Sequence, residues 1–236
     1  MIDGPTLLRD ALAAGVRIEE VFASPEADDE VVAAAEAAGA LVRQVTAEAL
    51  SRAVDAVTPQ GLAAIAHRLD VPVEEAAAAA ASGPLALVLV DVADPGNAGT
   101  LLRAAEAAGA AAVLFCGSSV DPSNAKCVRA SAGALFHLPV ASGGEVVAVL
   151  ELLGRLGVRT AATVVRGGEP YDTVDLTGPV AVVLGSEAHG LPAQVLAAVD
   201  ERITIPMAGR TESLNVAMAG SVLCFESLRQ RRTAPS

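Results

Sequence analysis

Apolar positions recur along this chain in two alternating rhythms, one helical and one extended. Residues 4–14 place Leu7, Leu8, Ala11 and Leu12 on one face at helical spacing, and Gly15 can end that helix. Residues 16–22 then read as a strand, 28–38 as a helix closed by Gly39, and 41–45 as a strand. Thr46 is placed to cap a short helix over 47–53, and 61–67 read as a further strand. Together these form a small alternating α/β unit of about 68 residues, near the lower size limit for folding alone.

Residues 69–84 read as a linker. A run of six alanines gives no amphipathic pattern, so at most one or two helical turns are expected over 74–81, and Ser82-Gly83-Pro84 breaks the chain. From Leu85 the alternation strengthens. Residues 85–91 and 179–184 are near-continuous apolar runs, as parallel strands covered on both faces should be. Strands are also expected over 112–116, 159–165 and 202–205. Helices are expected over 97–108, 123–132, 145–156, 192–199 and 213–229. The fold class is therefore α/β, a parallel sheet with helices on both faces, preceded by the small α/β unit. The domain plan is 1–68, a linker over 69–84, and 85–236.

Composition narrows the function. The 236 residues are 53% hydrophobic, ample for a core. No apolar run reaches the ~18 residues of a membrane helix, and the first residues lack the basic-then-apolar pattern of a signal peptide. A cytoplasmic protein without a membrane partner is expected. The cysteines, Cys116, Cys127 and Cys224, lie far apart in apolar stretches and read as buried thiols rather than metal ligands. His67, His137 and His189 do not pair with them at zinc spacing, so no metal is expected. The net charge of −12 counts against nucleic acid, and residues 1–70 hold five arginines against twelve acids. Lys126 is the only lysine. Aromatic residues are 2% of the chain, too few for base-stacking platforms.

Three loops follow strand ends, where open α/β sheets bind ligands. In the first, Asp94-Pro95-Gly96 makes a tight turn, Asn97 can cap the next helix, and Gly99 leaves room for a ligand. Arg103, under two turns further on, could grip a phosphate bidentately. In the second, Gly185-Ser186-Glu187 leaves a buried strand, with His189 and Gly190 following. It is neither a Walker loop nor a hydrolase elbow. In the third, a strand ends near Pro206, a polar loop contains Gly209, and Ser213 opens the last helix with Asn215 in its first turn. Read singly, each loop also admits an ordinary structural role.

Taken in order, the loops resemble the motifs of the SpoU (TrmH) family of RNA ribose methyltransferases, within the SPOUT superfamily. Asn97 through Arg103 resembles its N-x-G-x-x-x-R motif. Leu184-Gly-Ser-Glu187 with Gly190 is similar to the second motif. Ile205-Pro-Met207 with Ser213-Leu-Asn215 is similar to the third. Residues 1–68, opening with Asp3-Gly-Pro5, resemble the small substrate-binding domain that precedes the catalytic one in several members. The resemblance implies a C-terminal deep trefoil knot, a homodimer whose sites combine residues of both chains, and S-adenosylmethionine as cofactor. It implies cofactor contacts at Gly185, Ile205 and Leu214, with Thr163, Ser186, Gly190 and Met207 beside them. It assigns the catalytic group to Asn97, Arg103, Glu187, Ser213 and Asn215.

These residue types suit the chemistry. A ribose 2′-hydroxyl is a poor nucleophile until its proton is removed or shared, while the sulfonium methyl donor is already activated. What remains is alignment. Arginine, with a pKa above ~12, is better suited to orient than to deprotonate. Ribosomal RNA is the expected substrate and transfer RNA the alternative. A non-catalytic RNA-binding relative is disfavoured by the intact Arg103, Glu187 and Asn215. A dehydrogenase is disfavoured by the lack of G-x-G-x-x-G after the first strands.

Overall fold

A computed structural model describes residues 1–54, 60–186 and 188–233, and these form two sheets. The first uses β1 (Ile2–Asp3), β2 (Ile18–Ala23), β3 (Leu41–Gln44) and β4 (Leu62–Ala66) in the order β1-β4-β2-β3. Only β2 and β3 pair in parallel; β4 runs antiparallel to both β1 and β2. Helices α1 (Pro5–Ala13) and α2 (Asp29–Ala37) bring Leu8, Ala11, Val31 and Ala35 onto Val21, Leu62 and Ala64. Asp28 caps α2 by accepting from Glu30 N and Val31 N. Thr46 caps α3 (Ala47–Ala53) in the same way through Ala49 N.

The second sheet is parallel throughout. It runs β7 (Val140–Ser142), β6 (Ala112–Cys116), β5 (Leu85–Val90), β10 (Val180–Leu184), β8 (Arg159–Thr163), β11 (Glu201–Thr204), β9 (Glu169–Pro170). Every side chain of β5 is buried, because successive residues serve opposite faces. Leu85, Leu87 and Leu89 meet the layer of α5 (Pro95–Ala107), α6 (Ala125–Ser131) and α9 (Val216–Thr233). Ala86, Val88 and Val90 meet α4 (Val73–Ser82), α7 (Val146–Arg155) and α8 (Ala193–Ala198). Each buried leucine contributes about 1.5–3 kcal/mol by leaving water, so β5 anchors both layers. Beyond β8, the segment before β10 lies across α9. There Leu176 N donates to Gln230 Oε1 at 2.8 Å, Gln230 Nε2 to Val174 O at 2.9 Å, and Ser227 Oγ to Leu176 O at 2.8 Å.

Several expectations change. The alanine run expected within a linker is a ten-residue helix, α4, with Ala76, Ala77 and Ala80 fully buried. Alanine suits it because its small side chain lets the helix lie close to the sheet, and the sheet, not a side-chain periodicity, decides which face is inside. Asn97 does not cap α5. Asp94 does, accepting from Asn97 N at 2.8 Å, with Pro95 in the first turn. Gly99 faces α6 rather than a ligand: a Cβ there would lie 2.5 Å from the carbonyl oxygen of Cys127. α6 begins at Ala125 behind its cap Asn124, not at 123. The last helix begins at Val216, not Ser213, because Asn215 is its cap and accepts from Ala217 N and Met218 N at 2.9 and 3.3 Å. Strands β1, β7 and β9, two or three residues each, were not expected, being too short to show alternation. All three cysteines are buried, and burial pushes each thiol pKa to about 12.

Candidate active site

The strands β8, β10 and β11 are neighbours, and the loops at their carboxyl ends close around one cavity of about 390 Å³. That is within the usual range of small-molecule sites. Leu184, Ile203, Ile205, Val216 and Leu223 make apolar walls, while Thr163, Ser186, Glu212 and Ser213 set polar groups along them.

Each wall has a local cause. Leaving β10, the chain folds back on itself at once. Gly190 N donates to Ser186 O at 2.8 Å and Ala188 N to Ser186 Oγ at 3.3 Å. Gly190 adopts φ +64°, a conformation that favours glycine. Gly185 must also be glycine, since a Cβ would lie 2.7 Å from the carbonyl oxygen of Gly190. Thr163 Oγ1 donates to Val183 O at 3.1 Å, which fixes the end of β8 against β10. Val164 N donates to Ile203 O, which holds β8 and β11 together at the cavity floor.

All seven residues expected at a cofactor, Thr163, Gly185, Ser186, Gly190, Ile205, Met207 and Leu214, line this cavity. Of the expected catalytic group, Ser213 lines it as well. Asn215 stands at the cavity edge, between lining residues Leu214 and Val216, and its Nδ2 donates to Asn97 Oδ1 at 3.1 Å. This bond links the first loop to the third across 118 residues. Asp94, not Asn97, caps α5. Arg103 does not line the cavity. It lies about 120° around α5 from Asn97 at 100° per residue. It is exposed, and no ion pair or hydrogen bond engages it among the described residues. Glu187 lies outside the described residues.

The cavity also includes Val165, Ala188, His189, Glu212 and Ala219, none of which was expected there. His189, placed by the sequence in the second loop and outside any zinc pairing, forms part of the wall. Glu212 had a usable signal, as the acid directly before Ser213-Leu-Asn215. Ala219 had none, because only the crossing of α9 over the sheet turns it toward the cavity.

The fold and loops have known counterparts. Residues 1–72 match the RNA 2'-O ribose methyltransferase substrate binding family. The 23S rRNA (guanosine(2553)-2'-O)-methyltransferase RlmP of Bacillus subtilis (strain 168) is 31% identical over 226 residues, which is 95% of this chain and 86% of the relative. The 23S rRNA (guanosine-2'-O-)-methyltransferase RlmB of Ralstonia nicotianae is 34% identical over 205 residues, covering 86% of this chain and 82% of the relative. The AdoMet-bound rRNA methyltransferase from Sinorhizobium meliloti superposes with a TM-score of 0.85 at 31% identity, covering 99% of this chain and 87% of that one. A further match extends over residues 84–225, more than half the sequence, and by it the chain belongs to the SpoU rRNA methylase family.

Proposed function

We propose that this protein transfers a methyl group from S-adenosylmethionine to a ribose 2′-hydroxyl of ribosomal RNA. The observation that carries the reading is the single cavity walled by the second and third motif loops, with the first loop tied to it through Asn97 and Asn215. The cavity suits the cofactor. Its apolar walls can flank an adenine, the backbone at Gly185, Ser186 and Gly190 can bond the polar groups, and Glu212 sets a carboxylate along a site meant for a cation. When bound, S-adenosylmethionine supplies a methyl group already activated by positive sulfur.

The chain's own residues then have to bind and align. Asn215 holds the third loop at the cavity edge by capping α9, Ser213 sets its hydroxyl along the cavity wall, and the bond to Asn97 keeps the α5 terminus in register with the loop. Arg103 is assigned to the substrate phosphate and to orienting the 2′-hydroxyl, and Glu187 to assisting it. Because Arg103 does not line its own cavity, it is read as serving the cavity of a second copy. Met218 and Phe225, 58% and 50% exposed and seven residues apart on one face of α9, support a homodimer that covers them. The segment bonded across α9 through Leu176 and Gln230 supports a knotted C-terminus. Residues 1–68 are assigned to RNA recognition and 85–236 to catalysis. The relatives named as acting on 23S rRNA favour that substrate over transfer RNA.

The test is transfer of labelled methyl from S-adenosylmethionine to 23S rRNA transcripts and to transfer RNA, with ribose methylation mapped in the product. Calorimetry with S-adenosylmethionine and with NAD accompanies it. Label on 23S ribose and heat only with S-adenosylmethionine are expected. Label on bases, on transfer RNA alone, or nowhere would reject the proposal.

A further inference from the structure

Lys126, the only lysine of the chain, is held beside the loop that opens α5. Its Nζ lies 3.7 Å from Asp94 Oδ2, with the two side chains 58% and 50% exposed. An ion pair so exposed contributes little to stability. Its position relative to Arg103 is more informative. A Cβ on Gly96 would lie 3.9 Å from Lys126 Cε, so the lysine stem passes over the first turn of α5 on the face of Gly96.

Arg103 follows Gly96 by seven residues, nearly two full turns, and so leaves the helix on that same face, about 10.5 Å further along the axis. Helical side chains lean toward the N-terminus, which brings the guanidinium back toward Lys126. Between the two cations the helix surface is low. Gly96 has no side chain, and Thr100 folds its hydroxyl back onto Gly96 O at 2.8 Å. The result is a shallow strip with a cation at each end. In a chain carrying −12, paired cations on one strip are what a phosphate chain would find.

We propose that Lys126 is a second backbone-phosphate contact for the RNA strand that Arg103 engages. It is a positioning residue, acting on substrate affinity and not on methyl transfer. The inference rests on the RNA methyltransferase reading above. Asp94 holds the ammonium over the strip in the free protein and gives it up when a phosphate arrives.

The test uses the full chain with Lys126→Gln and Lys126→Arg, and in-vitro-transcribed 23S rRNA as probe. Filter binding and methyl transfer are followed across a potassium chloride series. Lys126→Gln should raise Kd and KM for RNA by about 5–10-fold at ~0.1 M salt and lower the salt slope by about 0.7–1. The kcat at saturating RNA and the calorimetric affinity for S-adenosylmethionine should not change. Lys126→Arg should stay close to wild type. A wild-type KM and salt slope in Lys126→Gln would overturn the proposal, and so would equal losses in both variants. If the wild-type chain ignores 23S rRNA, the ribosomal reading fails separately, and the same series on total transfer RNA decides the role of Lys126. A wild-type chain inert on both RNAs removes both claims.

Discussion

Asn215 performs two tasks, and substitution can separate them. Its Oδ1 caps α9 through Ala217 N and Met218 N, while its Nδ2 reaches Asn97 Oδ1 at 3.1 Å. Asn215→Ala removes both. Loss of a cap costs about 0.5–2 kcal/mol, and loss of a hydrogen bond between exposed groups about 0.5–1.5 kcal/mol. The expected total is about 2 kcal/mol, or roughly 4–8 °C in Tm for a chain of this size. Asn215→Ser keeps a capping oxygen but cannot span to Asn97, so it should lose only about 1 kcal/mol. Asn97→Ala removes the same bond from the other end. Urea unfolding of Asn97→Ala, Asn215→Ser and the double variant gives the coupling directly, expected at about 0.5–1.5 kcal/mol. Strict additivity in this cycle would refute the claim that the first and third loops are joined through these side chains. An Asn215→Ala variant no less stable than Asn215→Ser would refute the capping role.

Other outcomes follow from the same geometry. Arg103→Ala should cut methyl transfer by at least about 100-fold through lost alignment; affinity for S-adenosylmethionine, read by calorimetry, should persist. Gly185→Ala forces a Cβ against the carbonyl of Gly190, so calorimetry should show cofactor affinity falling while the far-ultraviolet circular dichroism is kept. Buried Glu226 accepts from Arg229 at 2.7 Å and from Gln230 at 2.8 Å. The Arg229 guanidinium holds its carboxyl below the usual carboxylate range, aided by the Gln230 amide and opposed by burial. Its contribution is therefore complete above the ordinary glutamate value and is lost as pH falls through the lowered one. Melting curves should show Glu226→Gln least damaging in acid and most damaging near neutrality, and a constant difference across pH would reject this.

Much of the architecture was legible because its signals are local. The run at 85–90 reads as a doubly covered strand without knowledge of its neighbours, since each residue type reports its own burial. Thr46 announces its helix because a cap acts over three residues, whereas Asp28, read as the first residue of its helix, is in fact the cap. The three loops were legible as motifs for the same reason, and the six cofactor residues picked from the second and third, with Thr163 at the end of β8, do share one cavity.

What tertiary structure alone decided concerns partners distant in sequence. No local rule says that Asp94 rather than Asn97 caps α5, because both are good caps three residues apart; with Asp94 as the cap, Asn97 accepts from a residue 118 positions away. The alanines of α4 carry no periodic signal, and their burial follows only from the closeness of the sheet beneath them. Gly99 likewise looked like room for a ligand until α6 was found against it. Backbone propensity and capping act within a few residues, so they survive in the linear pattern. Close approach and side-chain pairing depend on which elements the packing brings together, and that information exists only once the chain has folded.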